Sequence, residues 1–332
     1  LMTKLTIIMP VYNNLPFLKE AIDSVTSQKF RNWELLISDD RSTDGSIEFL
    51  KKIKNKKIKI FFQKKNLGIY GNCKFLHSKS KASIIKILCG DDKLVKNALK
   101  NTYDFMKKYN SCKILTCDDL NYRNINSDNR TRQKEFYSKL GNKSYLKLSP
   151  KSAMIAFMAY GNLCGNLSRV TYKKVNDSIN PLFDKNFTYA GDFHAWTRFS
   201  KKYGIYILKR KLIFVRNHPS RGTFYLNKNN ELFKQVSEIY KFLSKNVDKK
   251  YYPLLKRHML LNDLPQRIPT YFKFLLSGKI KEAKKTFVDL PLNIKFYECF
   301  FYAFLFKFRN NDLNIINKFY RFKVFNLIKE NL

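Results

Sequence analysis

Two stretches of the sequence decide the fold: WELLISDD at residues 33–40 and SIIKILCGDD at residues 83–92. Each is an apolar run of the length of a buried β-strand that ends in a pair of aspartates. The chain of 332 residues carries 64 Lys and Arg against 26 Asp and Glu, a formal net charge of +38. Clustered carboxylates repel one another unless a cation lies between them, so the two pairs indicate a shared cationic ligand, most simply a divalent metal ion.

Strand-like and helix-like patterns alternate over the first hundred residues. Buried strands are predicted at residues 5–9, 33–38, 58–62 and 83–88, and Pro10 is expected to end the first. After it, one apolar helical face repeats at Leu18, Ala21, Ile22 and Val25. This alternation is typical of parallel βαβ units, whose right-handed crossovers bring the carboxyl ends of the strands to one edge. Both acidic pairs are therefore expected in one crevice, where open α/β sheets bind ligands.

Composition and motifs exclude several classes of protein. Hydrophobic residues make up 44% of the chain, too many for a disordered protein, yet no stretch reaches the roughly 18 apolar residues of a membrane-spanning helix. No glycine-rich dinucleotide fingerprint or P-loop follows a strand. The six cysteines contain no C-x-x-C, which favours reduced thiols in a cytosolic protein over a zinc site. The apolar run at residues 5–12 is too short for a secretory signal.

Further motifs follow the acidic pairs in a fixed order. They are IMPVYN at residues 8–13, ELLISDDRSTDGS at 34–46, Asn66-x-Gly68, Gly90-Asp91-Asp92, NPLFD at 180–184, Gly191-Asp192 with Trp196 and Arg198, and RNHPS at 216–220. In order and spacing they resemble the family 2 glycosyltransferases with a GT-A fold. The resemblance implies an α/β fold with a mixed, mostly parallel sheet flanked by helices. It implies a GT-A domain at residues 1–222, with a nucleotide-binding half (1–100) and an acceptor half (101–222), before a helical region at 223–332.

The resemblance also assigns a donor pocket to this sequence. In such enzymes the second aspartate of the pair that ends the second strand contacts the nucleotide base, which here is Asp40. Asp91 would lie near the ribose. The other residues that the resemblance places around the nucleotide are Pro10, Tyr12, Asn13 and Gly68.

The metal ion and the catalytic base follow from the same resemblance. Asp92, the last acid of the DxD-like motif, would bind Mn²⁺ or Mg²⁺ bridging the diphosphate, and His218 would add a contact to the metal or a phosphate. Arg216 and Arg221 would lie near the leaving group. Asp192 would take the proton of the acceptor hydroxyl.

The chemistry of sugar transfer requires these residue types. A hydroxyl is a poor nucleophile until a positioned carboxylate accepts its proton, a contribution of roughly 10²–10⁴-fold. The departing diphosphate gains negative charge, which a metal ion and cationic side chains stabilise. We therefore expect a metal-dependent, inverting hexosyl- or N-acetylhexosaminyltransferase. By resemblance its donor is a nucleotide-diphosphate sugar, with UDP as the default. Its acceptor is a glycan or lipid-linked glycan of bacterial surface polysaccharide, capsule or lipooligosaccharide assembly.

Two positions depart from the pattern of the family. Many members have an acid where this chain has Cys89, which leaves the metal with fewer carboxylates. Many have glycine after the second-strand pair, where this chain has Arg41, and this places a cation beside the nucleotide pocket.

Each assignment has a structural alternative. Asp39, Asp40 and Asp44 can serve a turn, and Asp91-Asp92 or Asp192 can cap the helix that follows. Asp118-Asp119 also follows a strand-like run, so it is a rival metal site. His218 can be a hydrogen-bonded loop residue, and His194 can line the acceptor pocket.

The last third of the chain is basic, aromatic and helical in pattern. Helical periodicity covers residues 232–243 and 271–287, and residues 296–308 contain eight aromatic side chains followed by lysines and arginine. This combination favours a helix lying in the interface of an anionic membrane, with a packed core or homodimer contact as the alternative. We expect a cytoplasmic protein, peripheral at the inner face of the membrane. Two other functions remain open from the sequence: a basic nucleic-acid-binding module, which leaves the acidic pairs unexplained, and an inactive glycosyltransferase-like scaffold.

Overall fold

The chain divides by its internal contacts into two units, Leu1–Leu148 with Cys164–Pro219, and Ser149–Leu163 with Ser220–Leu332. The structure, a computed structural model, describes residues 3–121, 136, 143–176, 182–218, 231–262, 267–287, 290–308 and 310–332. Twelve α-helices lie within these ranges: α1 Leu15–Thr26, α2 Ser46–Lys51, α3 Gly68–Lys79, α4 Ala98–Lys108, α5 Pro150–Tyr160, α6 Gly191–Tyr203, α7 Glu231–Ser244, α8 Tyr252–Asn262, α9 Arg267–Leu276, α10 Ile280–Lys285, α11 Phe296–Phe308 and α12 Asn310–Glu330.

A mixed sheet forms the first unit. Its nine strands, within the described ranges, are β1 Leu5–Val11, β2 Trp33–Asp39, β3 Ile58–Phe62, β4 Ile84–Ile87, β5 Lys93–Leu94, β6 Ile114–Asn121, β7 Tyr145–Leu148, β8 Val170–Lys173 and β9 Ile205–Val215. They lie in the order β3-β2-β1-β4-β8-β6-β9-β5, and β7 pairs with β9. The strands β3, β2, β1 and β4 run parallel, as do β6 and β9, and the remaining pairs are antiparallel. The predicted mixed sheet with flanking helices is confirmed.

The predicted strands and the apolar face of α1 are present where the pattern placed them. The buried residues of α1 are Leu18, Ala21, Ile22 and Val25, which pack on the core formed by the parallel strands. One expectation is wrong: β1 runs through Pro10 to Val11. The carbonyls of Ile8 and Pro10 face β4 and accept the N–H groups of Leu88 and Gly90. The N–H that proline lacks would face the same side. The paired part of the β1–β4 ladder ends at Ile8 with Ile87, so the proline lies beyond its last pair.

The carboxyl end of β1 joins the ends of its two neighbours. The N–H of Asp40 donates to the carbonyl of Val11 at 2.9 Å, and the N–H of Gly90 donates to the carbonyl of Pro10 at 3.3 Å. The residues that follow β2 and β4 are therefore held against the same two residues of β1.

The second unit is helical. Every residue of α5 from Ser152 to Tyr160 is buried, as expected for a helix that is apolar on all sides, and α7, α8 and α12 pack against it. The helix predicted over residues 271–287 is broken into α9 and α10. The break lies at Gly278, whose φ of +70° ends α9. Residues 296–308 form α11 as one helix. Among the residues described, no helix is both long and apolar enough to cross a bilayer.

Candidate functional site

The loops after β1 and β2 are tied together by side chains. Asp39 is fully buried and accepts the N–H of Ser42 at 2.9 Å and its hydroxyl at 2.5 Å. The hydroxyl oxygen of Ser42 accepts the N–H of Asn13, and the side chain of Asn13 accepts the N–H of Thr43. Asp44 accepts the N–H of Leu15. Asp39 and Asp44 thus stabilise the turn that follows β2. Asn13, with φ of 53°, belongs to the same hydrogen-bond network.

Asp40 anchors the start of α3. Its carboxylate accepts the N–H of Leu67 at 2.7 Å, and its carbonyl accepts the side-chain amide of Asn66 at 3.1 Å. Burial raises the pKa of Asp40, and the N–H donors of Leu67 and Gly68 oppose that shift. The residue is only 2% exposed, so little of its side chain reaches solvent. Asp40 therefore has a structural role in holding the start of α3, in addition to the contact with a nucleotide base that the sequence predicts.

The other residues of the predicted donor pocket lie at the same sheet edge. Pro10 is buried within β1, whereas Tyr12, directly after β1, is 52% exposed and presents an aromatic ring to solvent. Gly68 has φ of +69°, and its N–H donates to the side chain of Asn66. A Cβ at Gly68 would meet no atom within 4 Å, so its backbone conformation, not crowding, accounts for the glycine.

An acidic cluster follows β4. The side-chain ligand atoms of Cys89, Asp91 and Asp92 all lie within 4.8 Å of one another. His218 approaches the cluster, with Nε2 at 3.1 Å from Oδ2 of Asp91, and its ring packs on Phe17 at 4.5 Å between centroids. Two carboxylates, with an imidazole beside them, are the oxygen and nitrogen donors that suit Mn²⁺, and the carboxylates suit Mg²⁺. The donor set therefore fits the metal ion that the sequence predicts.

The cluster is held by charged neighbours. The backbone N–H of Arg216 donates to Asp92 at 2.9 Å, and its Nε donates to the carbonyl of Asp91 at 3.1 Å. The guanidinium forms an ion pair with Glu20 at 3.1 Å and lies over the ring of Phe17. Arg216 therefore stabilises the backbone and the side chains of the turn at residues 91–92. Arg221, predicted beside the leaving group, lies outside the described residues.

Two ionisable side chains, Cys89 and Lys86, are buried beside the cluster. Burial raises the pKa of the Cys89 thiol well above its usual range, and the nearby Asp92 and Asp91 add to the shift. Burial also lowers the pKa of Lys86, while Cys117 and Asp92 oppose that shift. The Lys86 ammonium, fully buried in β4, donates to the carbonyl of Ser168 at 2.5 Å.

Asp192 lies in the first turn of α6 and is partly exposed. Its Oδ1 atom is 2.7 Å from the N–H of Phe193 and 3.2 Å from the hydroxyl of Tyr70, which projects from α3. His194 stacks on Phe187 at 3.7 Å between centroids, and burial lowers its pKa to about 4. This histidine is therefore neutral near pH 7.

Two sets of hydrogen bonds connect the predicted site residues. Asp40 and the 91–92 turn meet at the end of β1, and Asp192 joins them through Tyr70 on α3, the helix that Asp40 anchors. The rival pair Asp118-Asp119 lies inside β6 at a bulge, and Asp119 pairs with Arg169 at 3.5 Å. Sequence reasoning missed Tyr70. It lies two residues after Gly68, but nothing in the local pattern connects it with residue 192.

Comparison with known proteins gives one family. The model of glycosyl transferase family 2 matches residues 6–162. An uncharacterized glycosyltransferase of Haemophilus influenzae is 36% identical over 107 residues, which cover 32% of this chain and 43% of that protein. The putative glycosyltransferase EpsE of Bacillus subtilis is 31% identical over 32% of this chain and 39% of its own length. The chain thus spans less than half the length of these two relatives.

A longer similarity exists to an N-acetylglucosaminyltransferase. The poly(ribitol-phosphate) beta-N-acetylglucosaminyltransferase TarP of Staphylococcus aureus is 29% identical over 278 residues, 80% of each chain. The structure of S. aureus TarS 1–349 in complex with UDP is similar with a TM-score of 0.52 and 14% identity, over 85% of this chain and 90% of that one. The mannosyltransferase PcManGT from Pyrobaculum calidifontis, in complex with GDP-Man and Mn²⁺, has a TM-score of 0.55 at 14% identity, covering 100% and 87%. At such identities the structural similarity shows the fold, which is the GT-A fold predicted from the sequence.

Proposed function

Because the chain belongs to the family 2 glycosyltransferases, we propose that it is a metal-dependent, inverting enzyme that transfers a sugar from a UDP-sugar to a hydroxyl of a glycan or lipid-linked glycan. The observation that carries the proposal is the meeting of Asp40 and the cluster of Cys89, Asp91 and Asp92 at the end of β1. Acidic side chains kept at one edge of a strongly basic chain suit a metal-bound diphosphate, and they do not suit bare nucleic acid.

The donor class rests on the relatives. TarP is an N-acetylglucosaminyltransferase by name, and TarS structures contain UDP and UDP-GlcNAc. We take a UDP-linked N-acetylhexosamine as the first donor to test and a UDP-hexose as the second. Bacterial surface polysaccharide assembly is the matching context.

The residues of the site have distinct tasks in this reaction. Asp40 and the exposed ring of Tyr12 would flank the nucleoside, and Asp91 and Asp92, with His218 beside them, would hold the divalent cation. The cation, when bound, supplies positive charge against the departing diphosphate. Asp192 accepts the proton of the acceptor hydroxyl as its oxygen bonds to the anomeric carbon and the bond from that carbon to the phosphate oxygen breaks. A single displacement of this kind inverts the anomeric configuration.

The test is transfer and hydrolysis with a panel of nucleotide sugars in the presence of Mn²⁺. Asp192→Asn should lower kcat by about 10²-fold or more with UDP binding retained, because only the proton acceptor is lost. Asp104→Asn is the matched control: its carboxylate lies on the surface of α4, paired with Lys100, and it should leave kcat unchanged. Wild-type protein that consumes no nucleotide sugar would contradict the proposal and favour an inactive scaffold.

Calorimetry separates the two candidate metal sites and the alternative partner. UDP should bind more tightly with Mn²⁺ than without it, and Asp92→Asn should remove that difference, whereas Asp118→Asn should keep it. Single-stranded RNA at physiological salt serves as the competing ligand. Tight RNA binding together with no response to UDP and Mn²⁺ would replace the enzyme by a nucleic-acid-binding protein.

The helical unit supplies the proposed membrane contact. Along α11 the residues Tyr297, Phe301 and Phe304 are exposed by 70%, 59% and 61%. Their spacing of four and three residues places them on one face of the helix. A lipid-linked acceptor at the inner face of the cytoplasmic membrane would explain an enzyme that keeps aromatic side chains in solvent.

A further inference from the structure

The side chain of Tyr70 joins two elements that are distant in sequence. Its hydroxyl lies 3.2 Å from Oδ1 of Asp192 and 3.3 Å from the carbonyl oxygen of Tyr189, positions about 120 residues further along the chain. Both acceptors lie at the beginning of α6, and Tyr70 lies in the first turn of α3. One phenol therefore connects the start of α3 with the start of α6.

The ring of Tyr70 has little freedom to turn away from Asp192. It stacks on Phe183 with 5.6 Å between centroids and 25° between planes. Gly191 lies directly against it, since a Cβ at Gly191 would stand 2.6 Å from a carbon of the Tyr70 ring. The backbone conformation of Gly191 does not explain the glycine, because its φ is not positive, so the close approach of the tyrosine does.

The backbone that carries Tyr70 is fixed to the donor side of the site. The N–H of Leu67 donates to the carboxylate of Asp40 at 2.7 Å, and the side-chain amide of Asn66 donates to the carbonyl of the same residue. One turn further along α3, the amide of Asn72 donates to the carbonyl of Ser38 at 3.3 Å. Three bonds thus hold the start of α3 against the end of β2.

The hydroxyl of Tyr70 keeps its proton under ordinary conditions. Burial raises the pKa of Tyr70 well above its usual value, and the nearby Asp192 carboxylate adds to the rise. A neutral phenol can only donate to a carboxylate, so the direction of this hydrogen bond is settled.

We propose that Tyr70 is a positioning residue that holds the carboxylate of Asp192 in the orientation for proton abstraction, and so ties the base to the element that Asp40 anchors. This rests on the proposed role of Asp192. A hydrogen bond from a rigidly packed phenol fixes the rotation of the carboxylate. A base that is already held in the reactive geometry lowers the activation barrier, because it does not have to be ordered during the reaction. Tyr70 touches neither donor nor acceptor in this role; it acts only through Asp192.

The test is a double-mutant cycle on the full chain. Tyr70→Phe keeps the ring and its packing and removes only the hydroxyl. We expect kcat to fall about tenfold, the effect of one hydrogen bond to a charged group, with the KM for the nucleotide sugar and the melting temperature unchanged. In the Asp192→Asn background the same substitution should change kcat less than about twofold, because the carboxylate on which Tyr70 acts is gone.

The control is Tyr206→Phe. Its hydroxyl makes a comparable bond, 2.7 Å to Ser111, within a cluster of aromatic rings in the same unit. This variant should leave kcat unchanged in both backgrounds. If Tyr70→Phe lowers kcat by the same factor in the wild-type and the Asp192→Asn backgrounds, or leaves wild-type kcat unchanged, the proposal is overturned. If Asp192→Asn itself leaves kcat intact, the assignment of the base fails, which is a distinct result.

Discussion

Arg41 occupies a backbone conformation that arginine rarely adopts. Its φ is 67°, in the left-handed region, where Cβ crowds the following carbonyl at a cost of about 1–2 kcal/mol. The cause lies on either side of it: Asp39 binds the N–H and the hydroxyl of Ser42, which closes a tight turn around residues 40 and 41. The same turn accounts for the glycine that many family members have at this position.

Arg41→Gly should stabilise the protein. Glycine adopts this φ without strain but loses more backbone entropy on folding, so the net gain is about 0.5–1 kcal/mol. Urea unfolding at constant m-value measures it. Asn13→Gly is the matched control, since Asn13 also has positive φ, 53°, but its side chain binds Thr43; it should give no gain. A loss of stability in Arg41→Gly would mean that the arginine side chain makes contacts worth more than the strain.

At the scale of elements, the spacing of apolar residues predicted which helix face is buried. The four apolar positions of α1 became its four buried residues, because a helix on a sheet must bury one stripe. The strand β5 was missed, since two residues carry no period, and it exists only through pairing with β9. Asp118 and Asp119 were placed after a strand but lie within β6, where register shifts on either side of Asp118 accommodate them.

In the candidate site, too, some contacts could be predicted from the sequence and others could not. The meeting of Asp40 with residues 91 and 92 followed from parallel topology, which a single sequence reveals. The inward turn of Asp39 toward Ser42 and the bond from Tyr70 to Asp192 did not follow. Such contacts depend on side-chain directions between elements, and no local pattern records them.

The packing of α3 on β8 gives a pH-dependent contribution to stability. His77 stacks on Tyr172, and its Nδ1 lies 2.9 Å from the tyrosine hydroxyl. Burial and the charge of Lys174 lower the pKa of His77 to about 4, below the value of 6.5 in an unfolded chain. Between these values the unfolded state binds more protons than the folded state, so this residue makes stability fall as the pH falls from about 6.5 towards 4.

His77→Asn tests this contribution. Asparagine places an amide near the position of Nδ1 and does not titrate in this range. The variant should be less stable near pH 7 through lost stacking, yet its stability should fall less steeply between about pH 6.5 and 4.5. Denaturant unfolding over that range, compared with wild type, gives the two slopes. Identical slopes would show that His77 is protonated as readily in the folded protein as in the unfolded chain.

At the scale of the whole molecule, charge and aromatic surface are distributed unevenly. Acidic groups collect at the end of β1, while the chain as a whole carries a formal charge of +38. In the helical unit, exposed aromatic side chains occur on α9, α11 and α12, including Phe272, Phe319 and Phe322. Lys323 lies over the ring of Phe319 at 4.4 Å, so cation and aromatic ring share one surface position on α12. This pairing suits an interface of apolar lipid chains and anionic headgroups.

Replacing the aromatic face of α11 tests the proposed membrane contact and should leave the reaction of the soluble donor unchanged. The triple variant Tyr297→Gln, Phe301→Gln, Phe304→Gln removes three exposed rings and should reduce partitioning onto phosphatidylserine-containing vesicles by about tenfold or more, since each buried ring contributes roughly 1–3 kcal/mol.

Vesicle sedimentation measures this partitioning. Added salt should weaken the binding of the wild type as well, because the lysines contribute to it. Phe62→Gln on β3, a ring 43% exposed in the other unit, is the control and should bind like wild type. Hydrolysis of the soluble donor should be equal in all three proteins. If the triple variant binds vesicles as tightly as wild type but elutes as a smaller species in gel filtration, the aromatic face of α11 is a contact between copies of the chain and not a membrane surface.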